Sequence, residues 1–574
     1  MLKYGEAKFD NKKVTLANEK KLYIPDGVIE CTITESLRNS VKEIRIPNSL
    51  RKLFVEEKYE DFLFDDEDSN ISIGIACFEN FKKLKYNTYK DGKYLGNEKN
   101  PYAFLIGVID KKTKDLNINE ACEVIYSYAF RDCINIDKIV IPSSVRCIAT
   151  CAFWNNESIK EIKINSNNIL LGDSAFEYCK SLEKIEMLGE IEKIEENAFA
   201  FCTSLTNIIL PDNIEEIGEH TFDGCTSLTS IRLPNSVKKI GTSAFHGCTS
   251  LVSVALPDNI EEIGAHAFEK CRMLKEINFP NSIKKIGNEA FQDCYSLTNV
   301  SLSDNVEEIG SECFANCIRL ESITLSNNIE RIEYNTFLGC ESLKSIIIPN
   351  SVNAIGGSAF EGCASLESIT IGGCVKNIFS KAFHKCKSLK DVTVLDGISC
   401  EYFLFHSSKK IRYNVYENAK YLGNANNPFV VLVEVIDKDA SSLIINEHCE
   451  VINYKACIDC TNIQSVAIPN SVRVIGPFAF AGCKSIKDLK ISENITYIPR
   501  DCFNCCESLT EVTLPDKIEE IYDEAFGNCV NLINANIPAN LQKVARHAFS
   551  NCNKMKNRKV FYSYDNNFEE EIYY

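Results

Sequence analysis

A curved repeat solenoid, built as a stack of short parallel β-strands and turns, is the fold this 574-residue sequence predicts. Three observations predict it. A phenylalanine recurs every 23 residues, at Phe130, Phe153, Phe176, Phe199, Phe222, Phe245, Phe268, Phe291, Phe314, Phe337, Phe360 and Phe383, and the spacing resumes at Cys457, Phe480, Phe503, Phe526 and Phe549. Each unit, such as VKKIGTSAFHGCTSLVSVALPDN from Val237, carries its apolar residues at Val237, Ile240, Ala244, Phe245, Cys248, Leu251, Val254 and Leu256. Those positions cannot share one face of a long helix or of one strand, but a coil that turns them inward and stacks on its neighbours buries them all.

Within a unit, SLTSIRLP predicts a short strand whose alternate residues Ile231 and Leu233 point to one side. Pro234 ends it without removing a ladder hydrogen bond, and Asn235-Ser236 supplies turn chemistry. Val237 and Ile240 form a second extended stretch, Gly241 suits a bend, and Ser243-Ala244-Phe245 opens a tight turn that directs a large ring to the core.

Residues 1–69 read as an N-terminal cap with one degenerate repeat around Val41–Leu50, followed by the acidic stretch Glu56–Asp68. A first solenoid is expected over 70–404 and a second over 405–556, with 557–574 as a C-terminal cap or tail. The segment KLKYNTYKDGKYLGNEKNPYAFLIGVID from Lys83 recurs as KIRYNVYENAKYLGNANNPFVVLVEVID from Lys410. Each copy lengthens one repeat, and each reads as a hairpin-like insertion, near 86–120 and near 413–447. Such an insertion is either a surface elaboration or a binding loop.

The unit Leu-x-x-Ile-x-Leu-Pro joined to Ile-x-x-Ile-Gly-x-x-Ala-Phe-x-x-Cys resembles the BspA-like leucine-rich-repeat family over about residues 70–556. The resemblance implies a leucine-rich-repeat-type stack and, frequently, a surface-displayed protein that binds other macromolecules.

Composition narrows the function. The net charge of −17, with 80 Asp+Glu against 63 Lys+Arg, opposes nucleic-acid binding, which needs a basic stripe. No apolar run approaches the ~18 residues of a membrane-spanning helix, and MLKYGEAKFDNKK lacks the apolar core of a secretory signal. No metalloprotease, nucleophile-elbow, P-loop or dinucleotide motif occurs, so neither an enzyme nor a cofactor is expected. Glycosylation sequons stand at Asn70, Asn156, Asn299 and Asn494.

Most of the 28 cysteines fall three residues after the repeat phenylalanine, from Cys133 and Cys179 to Cys552. Stacked and parallel, they predict buried thiols that act as small apolar groups, a usage that favours a reducing, cytoplasmic setting, or an anaerobic one, over an oxidising secretory route. The pairs Cys457/Cys460 and Cys502/Cys505 are read as packing, and the histidines fall at loop positions beside the repeat phenylalanine.

Glu215-Glu216, Lys238-Lys239, Glu261-Glu262, Lys284-Lys285 and Glu307-Glu308 alternate in sign from coil to coil. With strands about 4.8 Å apart, each Glu pair would meet Lys pairs above and below, forming a structural charge ladder. Exposed pairs contribute only about 0.2–1 kcal/mol each, so the expected effect is on stacking register.

The strand face, from Val140 and Lys163 through Arg232 and Ala255 to Thr393, is a Ser/Thr/Asn surface without Trp, Tyr or Phe. Protein hot spots favour aromatic residues and Arg, so the expected ligand contacts lie in the insertions: Tyr86, Tyr89, Tyr94 and Tyr102, and Tyr413, Tyr416 and Tyr421. The function expected is a non-enzymatic binding protein acting in cell-surface adhesion or recognition of a host or matrix protein or glycan. The alternative is an intracellular scaffold for protein partners.

Overall fold

The computed structural model describes residues 84–400, 402, 410–536 and 538–556, with five short strands between Val14 and Val55. The chain divides into two compact units, Met1–Leu297 and Thr298–Tyr574. The boundary expected at 404/405 therefore falls inside the second unit.

Each unit is a stack of 23-residue coils with two strand columns. In the first unit one column runs through Ser230–Arg232, Ser253–Ala255 and Glu276–Ile277, paired in parallel with Ile231 opposite Val254 and Val254 opposite Ile277. The other runs through Glu216–Ile217, Lys239–Ile240, Glu262–Ile263 and Lys285–Ile286. The second unit repeats both columns, for example in Ser345–Ile347, Ser368–Ile371 and Asp391–Val394, and in Arg331–Ile332, Ala354–Ile355 and Asn377–Ile378. Near the N-terminus, Leu22 pairs with Ile44 and Cys31 with Leu53, both in parallel. The acidic stretch 56–68, the sequon at Asn70 and the tail 557–574 lie outside the described residues.

The core is a set of columns, one residue type per level. The phenylalanine rings stack at 4.2 Å between Phe130 and Phe153 and at 5.2–5.5 Å from Phe199 to Phe291. In the second unit they run from Phe314 to Phe383, and again from Phe480 to Phe549. Such offset aromatic contacts add about 0.5–1.5 kcal/mol beyond their burial, which favours stacks over isolated coils.

The turn beside most of the repeat phenylalanines places a residue in the left-handed region two positions before it, as at His220 (φ 52°), Ser243 (φ 53°) and His266 (φ 56°). Side chains disfavour this region. Here the backbone gains a partner for it: His220 N–H donates to Thr242 O at 2.9 Å and Phe222 N–H to Ala244 O at 2.8 Å, one coil on. The strained turns thus tie neighbouring coils together.

The cysteine column is equally specific. The carbonyl of Phe199 accepts from Cys202 N–H in its own coil and from Cys225 Sγ–H in the next, both at 3.2 Å. The same thiol bond recurs at Cys179, Cys202, Cys248, Cys271, Cys340 and Cys363. Where the column carries Asn156, its amide Nδ2 takes over, donating to the carbonyls of Phe130 and Cys133 at 3.2 Å each. Asn156 is buried, so its sequon is closed to modification in the folded chain. Burial pushes the Cys179 thiol up to about 12 and raises those of Cys202 and Cys225 further, holding them protonated as donors.

Each insertion combines an outward hairpin with strands that build into the stack. Asn87–Tyr89 and Gly92–Leu95 form an antiparallel hairpin, Gly92–Leu95 pairs antiparallel with Phe104–Val108, and Phe104–Val108 joins Val124–Ile125 in parallel. The module therefore begins the strand column that continues through Cys147–Ile148 and Ile169–Leu171, and every residue of Phe104–Val108 is buried. Asn414–Tyr416, Ala419–Leu422, Val431–Val435 and Val451–Ile452 repeat the arrangement. The second copy is spliced onto the preceding coil, where Val394 N–H donates to Gly423 O at 3.0 Å and Arg412 N–H to Lys390 O at 2.8 Å. A Cβ on Gly423 would meet the Asn427 carbonyl at 2.1 Å, so this splice requires glycine.

Candidate binding surfaces

This architecture leaves three outward surfaces: the strand face, the outer hairpin of each module, and the turn face beside the phenylalanine column. On the strand face the pattern exposed-buried-exposed holds at Ser230–Arg232, Ser253–Ala255 and Ser322–Thr324. Its small polar surface is interrupted by exposed aliphatic side chains, Ile209 at 73% and Ile347 at 68% of full exposure.

The hairpins separate the seven tyrosines expected as ligand contacts into two groups. Tyr94 and Tyr421 are fully buried, which overturns their expected exposure. Each lies on the middle strand with its ring turned inward. The Tyr94 hydroxyl accepts from Asn119 N–H at 3.1 Å and that of Tyr421 from Asn446 N–H at 3.2 Å. Burial raises both phenols above their ordinary value.

Outside them, Tyr86 and Tyr89 are exposed and Tyr102 is half-buried. Tyr102 packs edge-on against both Tyr89, at 6.0 Å between ring centroids, and Tyr94, at 5.6 Å. Lys93 lies 5.4 Å from the Tyr86 ring and Lys90 5.8 Å from that of Tyr89, close enough for cation–π attraction. The second module keeps this plan with deeper rings. Tyr413 and Tyr416 are half-buried, Lys420 covers Tyr413 at 5.5 Å, and Phe429 replaces Tyr102. Burial, then the charge of Glu434, raises the Tyr413 phenol.

The charge ladder has contacts at matched levels. Lys238 Nζ lies 3.2 Å from Glu215, Lys239 3.7 Å from Glu216 and Lys284 3.1 Å from Glu261, while Glu262 sits opposite Lys239 and Lys285 in the strand register. Glu307 and Glu308 belong to the second unit.

The turn face carries a row that reading along the sequence misses. Tyr128, Trp154, Tyr178 and Phe201 are half-buried neighbours, with ring centroids 6.2, 6.3 and 4.7 Å apart in succession. The row ends where the Phe201 ring lies on Gly224, whose φ of 66° and missing side chain leave room for it.

Beyond this point the face becomes ionic. His220 and His246 both bond the buried Asp223, at 3.1 and 2.7 Å, and His266 bonds the buried Glu269 at 2.8 Å. Burial acts to raise Asp223, but hydrogen bonds from His220 and His246 outweigh it and hold the carboxyl below its ordinary value. The Asp223 bond in turn raises His220, against its own desolvation. Asp223, His246 and Glu269 stand 23 positions apart in succession, and only stacking by coil makes them neighbours.

The repeat geometry has a counterpart in sequence. The profile of the BspA type leucine rich repeat region (6 copies) matches residues 109–229, 215–337, 307–426 and 437–556. The chain belongs to this BspA-type leucine-rich-repeat family. Among solved structures, it is similar to a leucine-rich cell surface protein of Faecalibacterium prausnitzii, at 27% identity over 63% of this chain and 91% of that one, TM-score 0.28. A leucine-rich-repeat protein of Treponema pallidum (T. pallidum) shares 38% identity over 28% of this chain and 77% of its own, TM-score 0.27. A leucine-rich-repeat protein of Bacteroides ovatus shares 26% over 63% and 89%, TM-score 0.29. None of the curated proteins gives a significant match. Among the described residues no helix is long and apolar enough to cross a membrane.

Proposed function

We propose that this BspA-type repeat protein is a non-catalytic binding protein that recognises a protein or glycan in cell-surface adhesion. The observation that carries the reading is the patch of Tyr86, Tyr89 and Tyr102, flanked by Lys90 and Lys93, at the outer hairpin of the first module and the turn that follows it. Tyrosines offer large, amphipathic contact area at low entropic cost, and they dominate binding hot spots. The buried Tyr94 beneath them fixes Tyr102, so part of the patch is held in place before contact. The polar strand columns add a long surface on which many weak contacts sum.

A second reading, an intracellular scaffold, is supported by the cysteine column, whose thiols serve as hydrogen-bond donors only while reduced. Protease treatment of intact source cells separates the two. Release of peptides ending at Lys90 or Lys93, while cytosolic markers stay whole, supports adhesion. Full protection until lysis supports the scaffold.

A further inference from the structure

The ionic end of the turn face brings His266, Glu269 and Glu289 to one point. His266 Nδ1 lies 2.8 Å from Glu269 Oε2 and 3.4 Å from Glu289 Oε2, and one ligand atom from each of the three residues lies within 4.8 Å of the others. In a tetrahedral site with bonds of about 2.0–2.2 Å, ligand atoms stand about 3.3 Å apart. Both separations from His266 are therefore close to the edge length of such a site, and the two carboxylates come within 4.8 Å of each other. We propose that they bind a divalent zinc-class ion, with a fourth position open to water.

The surroundings fit that role. Glu269 is buried, and its second oxygen is held by Lys270 Nζ at 2.7 Å, which orients Oε2 toward His266 in the way outer partners orient metal-binding carboxylates. One coil on from Glu269 in the same column stands the half-buried Gln292, whose side-chain oxygen has no hydrogen-bond partner. His266 is 34% exposed, which gives an ion a way in. One imidazole with two carboxylates is a donor set suited to zinc or cobalt, whereas calcium takes six or more oxygens. Glu289 comes from the coil after His266 and Glu269, so the ion would clip two coils together.

The test uses the full chain with Cys374→Ser, which removes the one cysteine that is exposed among the described residues, titrated with Co²⁺ and then Zn²⁺. The expected result is one Co²⁺ per chain with visible d–d absorption and no thiolate charge-transfer band. Zn²⁺ should displace it and raise the melting temperature, because the ion binds only the folded state. His266→Asn, which tolerates the left-handed backbone, and Glu289→Gln should each weaken Co²⁺ at least tenfold while leaving the circular dichroism of the metal-free chain unchanged. No binding below about 100 μM, a thiolate band, or affinity unchanged in both variants would overturn the site.

Discussion

The sulfur of Cys225 donates to the carbonyl of Phe199 at 3.2 Å, across the step between two coils. Because that carbonyl is also bonded by Cys202 N–H, both its lone pairs are used inside the core. The phenylalanine column and the cysteine column are thus one hydrogen-bonded structure, and the thiol serves as a donor.

Replacing Cys225 with Ala should remove the inter-coil donor while leaving Cys202 N–H in place. The expected cost is about 1 kcal/mol, read as a lower midpoint in denaturant. Cys225→Asn should restore part of the loss, as Asn156 does in its own coil.

Thiol accessibility follows from the same geometry. Among the described cysteines all but Cys374 and Cys505 are buried. Alkylation of the native protein, mapped by mass spectrometry, should label these two first. Early labelling of Cys225 or Cys248 would contradict a closed column.

The inner tyrosines should act on stability. Tyr94→Phe leaves Asn119 N–H without its acceptor at an expected cost of about 1–2 kcal/mol. Tyr94→Ala, which also opens a cavity, should cost about 3–5 kcal/mol. Parallel results are expected at Tyr421.

The His220–Asp223 contact should make part of the stability pH-dependent. Asp223 is lowered, so its contribution is present above the unfolded carboxyl value of about 3.9 and lost as pH falls through the folded value. His220 is raised, so its contribution is full below about 6.5 and lost as pH rises through its folded value. The melting difference between the wild type and Asp223→Asn should be largest at about pH 4–6.5 and shrink on either side.

Reversing Lys238 and Lys239 to Glu places like charges beside Glu215 and Glu216. The melting temperature should fall more at low salt than at high salt. A salt-independent fall would show that the pairs do not act through charge.

The 23-residue columns were legible because one physical demand, burial of Phe, Leu, Ile and Cys, repeats at every level. Tyr94 was not legible. In Gly92–Leu95 the buried positions are 92, 94 and 95, a pattern set by the irregular antiparallel register with Phe104–Val108 and by the Asn119 amide 25 residues away. The turn-face cluster escaped for another reason: His266 and Glu289 are distant in sequence, and stacking alone makes them neighbours.

The division of the tyrosines into an inner pair that builds the module and an outer patch proposed to bind is tested most directly by Tyr86→Ser/Tyr89→Ser. Binding of the full chain and this variant is measured on one panel of immobilised matrix proteins and glycans, beside thermal melts. The account predicts that the wild type binds a member of the panel and that the variant binds it at least tenfold more weakly, with an unchanged melting temperature. Equal binding by the variant, or no binding by the wild type, would contradict it.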